Sequence, residues 1–219
     1  MNKKTTSHGI FTFLFGLGVI VSVFTGVRPP LVCAEEKLTL ATNESRLWLS
    51  GNSTLHKYSS TATVINAIAN LSSNRSAQET AYALIESNAV NALSLRVPVA
   101  SLKSHSGLLD KKMRACLKIE SDPEIAFQLS GYKIIKGKSG DTKTHVVGQG
   151  DLSVAGTTRK VEINALLIQS GEQALLCGTK ELFMSDFGIT PPTLMMGSLK
   201  TEDKVVIGFN LMFIKSTIK

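Results

Sequence analysis

The sequence predicts an all-β fold, an antiparallel barrel of about eight strands with one short helix. Three observations carry the prediction. Stretches of period-two alternation recur between residues 37 and 215, the spacing of half-buried strands. Clusters of glycine, asparagine and serine separate them, as turns require. A single convincing stretch, near residues 107–117, has the helical period instead.

The first 34 residues stand apart. Lys3 and Lys4 precede an uncharged run over residues 9–27, Arg28-Pro29-Pro30 interrupts it, and Val32-Cys33-Ala34 offers a cleavage site. This is the layout of a secretory signal peptide. The expected organisation is therefore a signal over residues 1–34 and one domain over residues 35–219, exported to the periplasm or beyond. The run is long enough to anchor the chain in a bilayer if it is kept.

In the first strand Leu38 and Leu40 alternate with threonine, residues 42–45 read as a turn, and residues 46–50 alternate again. Residues 51–54 make a second turn. Residues 59–68 read as one strand with Thr61, Thr63 and Ile65 on a shared face. Residues 69–87 are polar, and are expected to be a mobile excursion, either a hairpin tip or a short helix over residues 79–86. Residues 89–99 resume as a strand with Leu93, Leu95, Val97 and Val99 on one face. Leu109, Met113, Cys116 and Leu117 then form one helical stripe, capped by Ser106 or Gly107, with Asp110 in the favourable first turn.

Ile125, Phe127 and Leu129 alternate in the next strand. Strands over residues 144–153 and 159–169 form a hairpin, followed by strands over residues 174–184 and 204–215. In the last, Ile207, Phe209, Leu211 and Phe213 face one way. Between these two lies the apolar segment 182–197. Pro191 and Pro192 exclude a central strand there, so the segment is expected to fold back over the mouth of the barrel. Met195 and Met196 suit contact with a flexible ligand, because an unbranched thioether adapts its shape.

The chain carries 24 Lys and Arg against 17 Asp and Glu. Three of those basic residues lie in the expected signal, so the remaining surplus is too mild and too dispersed for nucleic-acid binding. It leaves room for transient contact with an anionic membrane surface. His8, His56, His105 and His145 share no metal-ligand spacing, and phosphate-loop and dinucleotide motifs are absent. A triad of His56 with Ser53 and a remote Asp110 or Asp186 can be assembled only on paper. Neither a metal, a cofactor nor catalysis is expected. Cys116 and Cys177 are either two buried thiols or one disulfide.

What the residues favour is a binding cavity with an apolar lining and a few polar groups. Trp48, Leu95, Phe127, Leu129, Phe183 and Phe187, with Met195 and Met196, are the candidate lining. His56 and Tyr58 are the candidate polar contacts.

Four segments, SRLWLSGNSTLHKYSS, VPVASLKSHSGLLDKKMRACLK with DPEIAFQL, GQGDLSVAGTTRKVEI, and FGITPPTLMMGSLKTEDKVVIGFNL, occur in that order from Arg46 to the C-terminal region. Together they resemble the YceI-like family of exported bacterial proteins. The resemblance implies a lipocalin-like barrel holding a long apolar lipid such as a polyisoprenoid, an isoprenoid quinone or a fatty-acid-like molecule, without catalytic residues. The alternative is a structural or stress-response envelope protein whose barrel is filled by its own side chains. The oligomeric state is left open, a homodimer included.

Overall fold

The structure, a computed structural model, describes residues 36–72, 78–137, 143–194 and 199–217. Of the twelve strands among these residues, eleven make a closed antiparallel barrel of eight staves, because several strands run end to end. β1 (Glu36–Leu40) and β2 (Arg46–Ser53) follow one another along one edge of the long β12 (Leu199–Thr217). β3 (Lys57–Ala62) and β4 (Asn66–Leu71) return beside them. β5 (Val90–Pro98) and β6 (Leu102–Lys103) make the third broken stave. β7 (Glu124–Lys136), β8 (Thr144–Val154), β9 (Thr157–Ser170) and β10 (Gln173–Phe183) pair in sequence, and β10 joins β12 to close the ring.

The three breaks, at residues 41–45, 63–65 and Val99–Ser101, lie side by side and are stitched together. Thr63 donates from both its amide and its hydroxyl to the Ser101 carbonyl, each at 2.9 Å. The Ser101 hydroxyl donates to the Pro98 carbonyl at 2.7 Å. Ser45 Oγ accepts from the Met212 amide at 3.0 Å, so β12 stays satisfied where it passes from β2 to β1. Alternation alone hides such a break: the single strand expected over residues 59–68 ends at Ala62 and restarts at Asn66.

Tight local chemistry closes the regular hairpin. Ala155 and Gly156 both have positive φ, 49° and 79°, the backbone of a two-residue turn whose twist matches the flanking strands. In β7 a register shift between Leu129 and Gly131 inserts one residue. The bulge changes the inward parity, so Ile125, Phe127 and Leu129 face the lumen before it and Tyr132 faces the lumen after it.

Two helices attend the two ends. α1 (Ala81–Glu86) is capped by Thr80, whose hydroxyl accepts from the Ala83 amide at 3.1 Å. Its Ala81 and Leu84 are wholly buried and Ile85 nearly so, because the helix covers the end where β10 begins and β7 finishes. Tyr132 Oη donates to the Ile85 carbonyl at 2.9 Å, and Lys136 pairs with Glu86 at 3.1 Å. This corrects the expectation of a polar, mobile excursion over residues 69–87. Residues 69–71 complete β4 and residues 81–86 pack as a plug, while residues 73–77 lie outside the described residues. α2 (Gly107–Cys116) stands at the opposite end, with Ser106 as its cap.

Candidate functional site: an apolar lumen with a polar mouth

The inward faces of the staves enclose a cavity of about 510 Å³, within the roughly 300–1,000 Å³ typical of small-molecule sites. Its wall is almost wholly apolar. Leu47 and Leu49 come from β2, Leu93, Leu95 and Val97 from β5, Val161 and Ile163 from β9, and Ile207, Phe209, Leu211 and Phe213 from β12. Ile85 of α1 lines the covered end.

Glycines keep this lumen open. Gly51, Gly150 and Gly178 share the inward parity of the lumen-facing residues on β2, β8 and β10, and each lies under an inward aromatic. The Tyr58 ring covers Gly51, its direct cross-strand partner. Phe127 leans over Gly150, and Phe209 over Gly178. A ring that reclines against bare backbone occupies the wall instead of the interior, and any Cβ at these glycines would collide with it.

The open end is framed by three pieces. Along α2, Leu108, Leu109, Lys112, Met113 and Cys116 border the lumen. The end of β2 contributes Ser53 and the turn after it His56. The third piece is the proline segment, in which Met184–Phe187 form a 3-10 turn ended by Gly188 at φ 66°. Phe187 and Ile189 are buried beneath it, Pro192 borders the cavity, and β11 (Thr193–Leu194) pairs with the start of β12. As expected from its prolines, the described part of this segment crosses the mouth without forming a stave.

Polar side chains collect at the same end: Ser53, His56, Tyr58, Ser106, Lys112, Lys180 and Thr201. Burial, reinforced by the negative charge of Glu202, pushes the Tyr58 phenol above its ordinary value. Burial likewise pushes the Cys116 thiol up. Asp110, in the first turn of α2, is held low by the Ser104 hydroxyl at 2.6 Å and the Ser104 amide at 2.7 Å. Asp110 is therefore a structural clasp. Ser53 is equally committed, its hydroxyl donating to the His56 carbonyl at 2.8 Å, and Asp186 does not border the cavity.

Of the sequence-derived candidates, His56, Tyr58, Leu95, Phe127, Leu129, Phe183 and Phe187 all border this one cavity. His56 is exposed on its rim, and Phe183 remains 47% exposed there. Trp48 does not join them. It points to the outer surface and covers Gly208, its partner on β12, because neighbouring Leu47 and Leu49 take the inward positions. Met195 and Met196 lie outside the described residues. The sequence reading missed Lys112 and Lys180. Lys180 lies two positions from lumen-facing Leu182 on β10, and that parity was the available signal. Cys116 and Cys177 are both free thiols, which resolves the disulfide alternative.

No curated protein matches the sequence. Among solved structures, BcnA of Burkholderia cenocepacia superposes with a TM-score of 0.59 at 14% identity, over 79% of this chain and 98% of that one. A polyisoprenoid binding domain from Saccharophagus degradans, implicated in plant cell wall breakdown, superposes with a TM-score of 0.60 at 12% identity, over 82% and 98%. At such identities the likeness is one of fold. The sequence itself matches the YceI-like domain over residues 39–213. That match runs from β1 into the closing part of β12, and the chain belongs to the YceI-like domain family.

Proposed function

We propose that this chain is a non-catalytic binding protein that holds a long apolar lipid, of polyisoprenoid, isoprenoid quinone or fatty-acid-like type, inside its barrel. One observation carries the reading: the lumen is hollow, apolar, covered by α1 at one end and open at the other. Each methylene transferred from water to such a lining is worth about 0.8 kcal/mol. The polar groups gather at the mouth, so an amphiphile enters tail first and leaves its head among Tyr58, Lys112 and Lys180. The solved polyisoprenoid binding domain of like fold supports this choice of ligand class.

The N-terminal signal layout supports export to the periplasm or outside the cell, with residues 1–34 removed. The test is mass spectrometry of organic extracts from protein purified from an exporting host. A stoichiometric long-chain lipid is expected, and the mature protein is expected to begin at Glu35 by intact mass. Protein that repeatedly yields no lipid and takes up none from detergent solution would leave only the envelope scaffold reading.

A further inference from the structure

Among the described residues, three large exposed apolar side chains group around the mouth. Leu108 is 63% exposed and Phe183 47% exposed, yet both border the lumen. Leu55, 72% exposed, forms the tip of the turn between β2 and β3, next to rim residue His56. Among the described residues, the other large exposed apolar side chains, Val64, Ile68, Ile135 and Ile168, are scattered over the walls and the α1 end. Scattered apolar residues are ordinary on a protein surface, whereas a group around one opening is not.

Lysines without an ion pair gather at that end. Lys57, Lys111 and Lys200 are exposed, and Lys200 is tied to the Leu55 turn through its carbonyl, which accepts from the Thr54 amide at 3.0 Å. Lys112 borders the lumen beside them. None of these four lysines takes part in an ion pair among the described residues. Of the acids nearby, Glu181 pairs with Lys204 and Asp110 lies 4.0 Å from Arg114, while Glu202 and Asp203 are hydrogen-bonded to Asn52 and Ser185 and keep their charge, and Asp186 is exposed.

We propose that the barrel docks mouth-first on an anionic lipid surface, with Leu55, Leu108 and Phe183 set into the interfacial region and the surrounding lysines on lipid phosphates. Apolar anchors ringed by basic residues are the combination that binds such an interface. The docked pose places the lumen entrance against the lipid source. Docking is separable from cargo binding, because it engages the rim and needs no guest in the lumen.

Flotation with vesicles tests it, comparing phosphatidylcholine alone with phosphatidylcholine containing phosphatidylglycerol. The expected result is binding to the anionic vesicles that falls at least tenfold in a Leu55→Ser, Leu108→Ser, Phe183→Ser variant. Lys57→Gln, Lys111→Gln, Lys200→Gln together, or raised salt, should weaken it severalfold. No flotation of the unaltered protein at low salt, or flotation indifferent to both variants, overturns the proposal. An independent readout uses single tryptophans in a Trp48→Phe background. Brominated lipid should quench Leu108→Trp and spare Ile168→Trp, and equal quenching at the two sites also overturns it. Lipid-free protein serves in both assays, so failure of docking and failure of cargo binding are told apart.

Discussion

Phe209 and Gly178 face each other directly across β10 and β12, and the aromatic ring lies on the glycine. A methyl group at Gly178 would fall 2.9 Å from Phe209 Cζ and 2.6 Å from the Asn164 carbonyl oxygen. Neither can be avoided by a flexible tip. Gly178→Ala is expected to lower stability by about 1–3 kcal/mol, the usual cost of overpacking, and to drive the ring toward the lumen. Gly131→Ala, where the same methyl group meets nothing within 4 Å, should shift stability by less than about 0.5 kcal/mol. Urea denaturation of the two variants checks the contrast.

The two faces of the wall make opposite predictions for cargo. Trp48 covers Gly208 on the outside, so Trp48→Phe should leave lipid occupancy unchanged. Val161 borders the lumen, so Val161→Trp should reduce occupancy at least tenfold in a protein that still unfolds cooperatively. Extraction and mass spectrometry of both variants read the outcome, with circular dichroism as the folding control.

Asp110 gives a pH dependence of definite sign. Its carboxyl is held below the ordinary value, first by the Ser104 hydroxyl and then by the Ser104 amide. A depressed folded-state value contributes stability that is complete above the unfolded value, about pH 3.9 for aspartate, and is lost as pH falls through the folded one. Ser104→Ala should raise the Asp110 value and remove part of that acid-side slope, leaving the slope near neutrality unchanged. NMR titration of the carboxyl, alongside urea midpoints across the acid range, measures both.

The two thiols report on the lumen. Cys116 borders the cavity and Cys177 does not, and burial pushes the Cys116 thiol up, which lowers its thiolate fraction. Lipid loading should therefore slow maleimide labelling of Cys116 severalfold while leaving Cys177 unaffected. Single-cysteine variants followed by mass shift decide this. Equal protection of both would place the cargo elsewhere.

Most of the barrel was legible because an exposed wall and an apolar lumen impose period-two alternation. β12 showed Ile207, Phe209, Leu211 and Phe213 on one face, and all four border the cavity. Alternation fails wherever parity changes, as at the β7 bulge, and it is blind to strands broken by mutual hydrogen bonds, as at residues 63–65. Trp48 shows the other limit. Aromatic character argued for the interior, but Leu47 and Leu49 on either side had already claimed the inward positions. The plug was hidden for a different reason: Ala81, Leu84 and Ile85 are few apolar residues inside a polar stretch, and only tertiary packing reveals their burial.

With α1 seated across the far end, the barrel is a sleeve with its described opening at the mouth. Whatever slides in must back out along the same track, the last atoms to arrive being the first to go. Unloading would then slow with every carbon added to the guest, so tail length would act as a timer that needs no moving part.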